Sequence, residues 1–193
     1  HTPQIWAYFI DIYPQIWYCF RDMIKRQLVK TIQKNIRAGF INIIYGPRRV
    51  GKTVLLSQLT KNFISSEILS LNGDTQETRE VLSQTSEVAL SGLVENYRVI
   101  IIDEAQRIPN IGLSLKILID KFPNKIFFVT GSSSLSLAHG IKEPLTGRSL
   151  KYRLFPLSTK ELTENFPDYQ KISILENQLI FGGYPYLQQL KIA

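Results

Sequence analysis

Short runs of apolar residues alternate along this chain with stretches in which apolar residues recur every three or four positions. The short runs predict five strands, over residues 40–46, 67–73, 98–104, 125–131 and 149–158. The periodic stretches predict helices from Ile24, after the first strand, over 76–92, over 113–122 and near 158–166. Strands that alternate with helices predict an α/β fold with a parallel sheet covered on both faces.

The helix that begins at Ile24 has two distinct faces. Its apolar stripe consists of Ile24, Leu28, Ile32 and Ile36. Its opposite face carries Arg26, Lys30, Lys34 and Arg37. We expect Gly39 to close this helix. A basic face is typical of a solvated surface, and contact with a nucleic acid is the alternative.

The clearest chemical motif is the string GPRRVGKT, which follows the first predicted strand and opens the next helix. It matches the pattern G-x-x-x-x-G-K-[ST] at Gly46, Pro47, Arg48, Arg49, Val50, Gly51, Lys52 and Thr53. In such a loop the backbone N–H groups ring the phosphates, the lysine reaches the β and γ oxygens, and the final hydroxyl ligates Mg²⁺. The sequence therefore predicts ATP and Mg²⁺ as cofactors, with Val54 completing the binding set.

A second motif is the acidic pair at the end of the third predicted strand, in RVIIIDEAQR. We expect Asp103 to hold Mg²⁺ through water, and Glu104 to orient and polarise the attacking water as a general base. For Gln106 the sequence leaves two interpretations open, a sensor of the γ-phosphate and a polar loop residue. Guanine specificity is not expected, because the string NKIF at 124–127 lacks the aspartate of an N-K-x-D guanine reader.

Two further positions are candidates for contact with the γ-phosphate. At the end of the fourth predicted strand, Ser132 or Thr130 can place a hydroxyl between the magnesium carboxylate and the γ-phosphate, and a serine-rich helix cap is the alternative. Arg148, before the fifth strand, can stabilise the charge on the transferred phosphoryl group, within the chain or across to a neighbouring subunit. A plain surface arginine is the alternative there.

Composition narrows the setting and the partners. A length of 193 residues suits one domain, and a formal charge of +7 favours a polyanion, which can be ATP itself or a nucleic acid. The single cysteine, Cys19, excludes an internal disulfide, so a cytoplasmic protein is expected. His1 and His139 lack neighbours at ligand spacing, so no metal other than Mg²⁺ is indicated.

Residues 1–22 differ from the rest of the chain because they are crowded with aromatic side chains and interrupted by Pro3, Asp11 and Pro14. The segment is too interrupted to span a membrane, and it lacks the basic start of a secretory signal. Met23 opens a stretch that has the character of a natural start. We therefore interpret 1–22 as an extension, native or not, and 23–193 as the ATP-binding domain.

Taken together, these motifs resemble those of AAA-superfamily ATPases of the archaeal-ATPase-like kind. The resemblance covers about residues 23 to 190 and rests on IKRQL, GPRRVGKT, IIIDEAQRI, FFVTGSSS, TGRS, LFPLSTKEL and FGGYP. It implies a five-stranded sheet in the order 5-1-4-3-2, in which one strand separates the acidic pair from the phosphate loop. It also implies that the last 25 or so residues lead toward a C-terminal region that this chain lacks.

The function predicted from the sequence is Mg²⁺-dependent ATP hydrolysis coupled to a nucleic acid or another partner, with Lys52, Glu104 and Arg148 as the catalytic residues. A homo-oligomer is one form this coupling can take, and no membrane partner is expected. An ATP-gated switch or scaffold with little turnover is the alternative from a different class. A helicase would need a second motor domain, and a kinase fits less well because Glu104 suits water activation.

Overall fold

The computed structural model describes residues 24–132, 144–164 and 166–185. Segment 1–22 and His139 lie outside the described residues. The chain divides into two compact units. One is Gln27–Pro156, and the other combines the two ends of the chain, of which 24–26, 157–164 and 166–185 are described.

The larger unit is built on a five-stranded sheet in which every neighbouring pair of strands is parallel. The strands are β1 (Ile41–Tyr45), β2 (Ile68–Asn72), β3 (Val99–Asp103), β4 (Ile126–Gly131) and β5 (Ser149–Arg153). Their order is β2-β3-β4-β1-β5, which confirms the predicted order 5-1-4-3-2 counted from the other edge. One strand, β4, therefore separates β1 from β3.

Helices cover both faces of this sheet, as predicted, and complete an α/β fold. The larger unit contains α1 (Gln27–Asn35), α2 (Lys52–Thr60), α3 (Gln76–Ser83), α4 (Glu87–Val94) and α5 (Ile111–Lys121), with 3₁₀ turns at Ser65–Glu67 and Ala105–Arg107. One apolar cluster joins the sheet to α3, α4 and α5, and a second joins its other face to α1 and α2. The central strands β1 and β3 are buried on both faces, which explains their continuous apolar sequences.

Several element boundaries differ from the prediction, three of them most clearly. The helix predicted from Ile24 begins at Gln27 and ends at Asn35, so Arg26, predicted on its basic face, precedes it and is buried. Gly39, with φ of +74°, lies in the turn that leads into β1. The stretch 76–92 forms two helices, because the Ser86 hydroxyl accepts a hydrogen bond from the Ala89 amide and starts α4 as its N-cap. The fifth strand ends at Arg153 and does not continue to residue 158.

The smaller unit contains α6 (Thr159–Thr163) and α7 (Asp168–Phe181). Ser158 begins α6 with a capping box, in which Glu161 accepts a hydrogen bond from the Ser158 amide at 2.9 Å. Gly183 lies so close to Leu157 that an added Cβ would be 2.3 Å from its carbonyl oxygen. This close approach gives a physical reason for a glycine in the GGYP string.

Candidate functional site

The site lies where the parallel strands end, since the loop 46–51 leaves β1 there and runs directly into α2. Gly46 begins the loop in close contact with the chain after β5, and an added Cβ would lie 2.4 Å from the carbonyl oxygen of Leu154. The Gly46 amide also donates to the carbonyl of Gly131, at the end of β4, at 3.3 Å. The loop is thereby anchored to both strands that flank β1.

The backbone of the loop turns back on itself through two residues with positive φ. Arg49 has φ of 61° and Gly51 has φ of 96°, both in the left-handed region. Of the predicted binding residues in this stretch, Val50 is buried, whereas Pro47, Arg48, Arg49 and Thr53 are exposed. Gly51 is the N-cap of α2, so the positive end of this helix faces the loop.

Lys52 is folded against the loop that precedes it. Its Nζ donates to the carbonyl of Gly46 at 3.2 Å and to that of Pro47 at 3.1 Å, and the residue is 7% exposed. Burial lowers the pKa of Lys52 below its ordinary value, whereas the nearby charges of Glu104 and Asp103 raise it. The ammonium group therefore lies within the electrostatic reach of both predicted acidic residues.

Asp103, the last residue of β3, is held in place from the neighbouring strand. Its Oδ1 accepts a hydrogen bond from the hydroxyl of Thr130, which is buried in β4, and another from the amide of Glu104 at 3.0 Å. Of the two hydroxyl candidates at the end of β4, Thr130 is thus the one that orients the acidic residue.

Glu104 begins the 3₁₀ turn after β3 in the left-handed conformation, with φ of 50°. Its Oε2 accepts a hydrogen bond from Gln106 Nε2, and the same nitrogen donates to Ser132 Oγ at 3.1 Å. The structure therefore brings Ser132, the other hydroxyl candidate, into one hydrogen-bonded chain with Glu104.

Arg148 is the predicted site residue that the structure does not bring to this group. It precedes Ser149, whose partner in the register is Ile41 at the beginning of β1, so it lies at the edge of the sheet where the strands begin. There its guanidinium pairs with Asp120 of α5. The phosphate loop leaves the opposite edge, which argues against the role within the chain, and the role across a subunit boundary stays a prediction.

Two residues at the site edge were missed by the sequence analysis. Gly73 follows β2, donates to the carbonyl of Asp103 at 2.8 Å and is packed against the carbonyl of Glu104. Arg153 ends β5 opposite Tyr45, with its guanidinium 4.8 Å from the centre of the Phe155 ring. Gly73 could have been identified from the sequence, because a glycine ends the second predicted strand. Arg153 could not, because the fifth strand was predicted to continue to residue 158, which placed Arg153 inside the strand and not at its end.

This combination of a parallel sheet in the order β2-β3-β4-β1-β5, a glycine loop after β1 and an acidic pair after β3 defines a P-loop nucleotide-binding domain. A family profile described as "AAA domain" matches residues 39–163. The chain belongs to this AAA domain family.

Curated relatives share a large part of this chain. Uncharacterized protein MJ1544 of Methanocaldococcus jannaschii is 32% identical over 171 residues, which cover 81% of this chain and 38% of the relative. Uncharacterized protein Rv2008c of Mycobacterium tuberculosis is 28% identical over 146 residues, which cover 75% of this chain and 31% of the relative. The chain thus spans about a third of the length of these relatives.

No helix in the described parts of the chain is long and apolar enough to cross a membrane. The same described residues contain no group of three or more histidine, cysteine, aspartate and glutamate side chains placed to hold a metal ion.

Proposed function

We propose that this domain binds ATP together with Mg²⁺ and hydrolyses it. The observation that carries the proposal is that the glycine loop with Lys52 leaves β1 at the same edge of the parallel sheet at which Asp103 ends β3 and Glu104 follows it. A cation for the phosphate, a carboxylate for the metal and a carboxylate for the water are the groups that this reaction requires.

In this proposal the loop 46–51 and the start of α2 bind the phosphates through backbone N–H groups and the positive end of the helix. Lys52 exchanges its hydrogen bonds to the Gly46 and Pro47 carbonyls for bonds to the β and γ oxygens. The exchange replaces two neutral acceptors by charged ones, which form stronger hydrogen bonds.

The side chains present fit Mg²⁺ by their chemistry, because Thr53 supplies a hydroxyl oxygen and Asp103 a carboxylate oxygen. Mg²⁺ in nucleotide sites takes one or two protein ligands and completes its shell with phosphate oxygens and water. The bound ion would neutralise charge that develops on the phosphates.

Glu104 is the proposed general base. Its carboxylate would orient a water molecule and accept a proton from it as the water attacks the γ-phosphorus. The assignment of this step to Glu104 follows from its position directly after Asp103, whose carboxylate is oriented by Thr130 and is the proposed metal ligand.

The test is phosphate release by the purified chain with Mg²⁺ and with EDTA, for the wild type beside Glu104→Gln. We expect Glu104→Gln to bind ATP but to turn over roughly 10² to 10⁴ times more slowly, the usual size of a lost general base. Glu77→Gln, on the exposed surface of α3, is the matched control and should behave as the wild type. ATP binding without wild-type turnover would favour a nucleotide-gated switch, and no ATP binding would refute the proposal.

We further propose that the reaction is coupled to a partner, which can be a nucleic acid on the basic surface or a second copy of this chain. Arg148 and Asp120 are 50% and 45% exposed, so their ion pair contributes little stability and can be exchanged. A specific activity that rises with protein concentration, and that loses this rise in Arg148→Ala, would support action across a subunit boundary. An effect of added DNA or RNA on turnover would support the nucleic-acid partner.

A further inference from the structure

Glu104 and Gln106 follow β3 and are hydrogen-bonded to each other. The proposed function gives a role to Glu104 but none to Gln106. It lies in the 3₁₀ turn Ala105–Arg107, and its Nε2 donates both to Glu104 Oε2 and to Ser132 Oγ. A single amide nitrogen thus contacts the proposed general base and the residue that follows β4.

These partners fix the orientation of the Gln106 amide. A carboxylate can only accept hydrogen bonds, so the NH₂ end must face Glu104, because the reverse orientation would place two acceptor oxygens against each other. The other end, Oε1, is buried and has no hydrogen-bond partner among the described residues. A buried acceptor beside the general base is therefore left without a donor.

The burial of Oε1 decides which end of the amide can act. Oε1 is closed to a water-sized molecule in this structure, so it cannot accept a hydrogen from the attacking water. The Nε2 end, which holds the Glu104 carboxylate and Ser132 Oγ, is therefore the end that can serve the proposed reaction.

The direction of the second hydrogen bond points to the same chemistry. Because Ser132 Oγ accepts from Gln106, its own hydrogen is free to be donated elsewhere. A γ-phosphate oxygen is a charged acceptor of the kind that such a hydroxyl binds well. The Gln106 side chain would then connect the general base to the residue that contacts the phosphate.

The turn that carries Gln106 is held on both sides. Ala105 is fully buried in the core, and Arg107 pairs with Asp74, in the loop after β2, at 2.6 Å. The amide of Ile108 donates to the carbonyl of Ala105 at 3.1 Å and closes the turn. The backbone at Gln106 is therefore fixed before any nucleotide binds, as a positioning role requires.

We infer that Gln106 is a positioning residue of the proposed ATPase reaction, which acts through the general base because its Nε2 holds the Glu104 carboxylate and Ser132 Oγ in one hydrogen-bonded chain. The proton that leaves the water goes to Glu104, and Gln106 undergoes no net change. This inference rests on the proposed function.

The test is Gln106→Leu, which keeps similar volume and removes both ends of the amide. We expect kcat to fall roughly tenfold to a hundredfold, which approaches the loss of rate seen when other groups that position reacting atoms are removed. KM for ATP and Kd for ADP should stay within about twofold of the wild-type values. Gln76→Leu is the matched control, because Gln76 Nε2 also donates to a glutamate, Glu80, at 2.6 Å but on the exposed surface of α3. This control should leave both constants unchanged.

A binding measurement separates a role in the reaction from support of the fold. ADP with aluminium fluoride and Mg²⁺ mimics the transferred phosphoryl group with its water in line, whereas ADP alone does not. Gln106→Leu should weaken the aluminium fluoride complex roughly tenfold or more and leave ADP binding unchanged. An equal loss for both ligands, or a kcat equal to that of the wild type, would overturn the inference.

A second variant keeps the test informative if Gln106→Leu folds poorly. Ser132→Ala keeps the contact between Gln106 and Glu104 and removes the Ser132 hydroxyl, both as the acceptor from Gln106 and as the proposed donor to the phosphate, so a fall in kcat is expected. Wild-type kcat in this variant would contradict the proposed chain. If the wild type binds and hydrolyses ATP and the Gln106 and Ser132 variants have the same kcat, this inference fails and the proposed function stands. If the wild type binds no nucleotide, both the inference and the proposed function fail.

Discussion

At the scale of single residues, the buried hydroxyl of Thr130 illustrates how the site depends on groups that would never touch the nucleotide. Thr130 donates to Asp103 Oδ1, the atom that also accepts from the Glu104 amide. Groups that orient a metal ligand from behind affect metal affinity strongly, because they fix both its direction and its charge. Thr130 should therefore act on the reaction through Asp103.

We predict that Thr130→Val, which keeps the shape of the side chain but removes its donor, raises the Mg²⁺ concentration that half-saturates ATP turnover by about tenfold. The measurement is a magnesium titration of phosphate release at saturating ATP. Thr60→Val is the control, because the buried Thr60 hydroxyl donates to the Leu56 carbonyl of its own helix at 2.9 Å. An unchanged magnesium requirement in Thr130→Val would show that the hydroxyl does not orient a metal ligand.

At the scale of elements, the contact between the loop after β1 and the chain after β5 explains why Gly46 must be a glycine. An added Cβ would lie 2.4 Å from the carbonyl oxygen of Leu154, which is backbone and cannot turn aside. Gly92, in α4, has no atom within 4 Å of the corresponding position. The same substitution should therefore have opposite effects at the two positions.

We predict that Gly46→Ala destabilises the protein by about 1 to 3 kcal/mol and weakens ATP binding, because the loop must move away from Leu154. Gly92→Ala should stabilise it by up to about 1 kcal/mol, since alanine replaces glycine at an exposed position inside a helix. Urea unfolding and nucleotide titration of both variants provide the measurement. Equal stabilities for the two variants would mean that the loop accommodates the extra methyl group.

The elements were largely predictable from the sequence because β1 and β3 are buried on both faces and their apolar runs cannot be mistaken for amphipathic helices. The loop 46–51 and the pair Asp103 and Glu104 were predictable because their residues are contiguous. The hydrogen bond from Gln106 to Ser132 spans 26 residues and requires β3 and β4 to be neighbours. Nothing in the local sequence of either motif specifies that contact.

The interpretation of Arg148 shows a different limit. A residue before a parallel strand lies at the edge where strands begin, so the predicted strand order already separated it from its own phosphate loop. The TGRS motif alone does not reveal this separation, because a motif gives the position of Arg148 along the chain but not the edge of the sheet at which it lies. The pair with Asp120 of α5 could be found only from the structure.

At the scale of the whole molecule, a buried ion pair in the smaller unit joins parts of the chain that are 135 residues apart. Arg26 Nε donates to Glu161 Oε1 at 3.1 Å, and the two side chains are 5% and 7% exposed. Glu161 also caps α6 through Ser158. Removal of the arginine would leave a buried carboxylate with less compensation for its charge.

We predict that Arg26→Met lowers the free energy of unfolding by about 3 to 5 kcal/mol, the usual cost of one lost partner in a buried pair. Lys25→Met is the control, since Lys25 is exposed at the neighbouring position and should change stability little. Chemical unfolding of the single variants, and of Arg26→Met combined with Glu161→Gln, provides the measurement. Purely additive losses in the double variant would contradict a direct interaction between the two side chains.

The position of β5 at one end of the sheet has a consequence for aggregation. An outer strand presents unpaired backbone groups to which strands of other chains can add, and charged side chains on such a strand oppose this addition. β5 carries exposed Lys151 and Arg153, and β2, the outer strand at the opposite end, carries exposed Ser70 and Asn72. The charges on β5 should therefore oppose the addition of a strand from another copy at that end of the sheet, whereas the uncharged Ser70 and Asn72 give β2 no such protection.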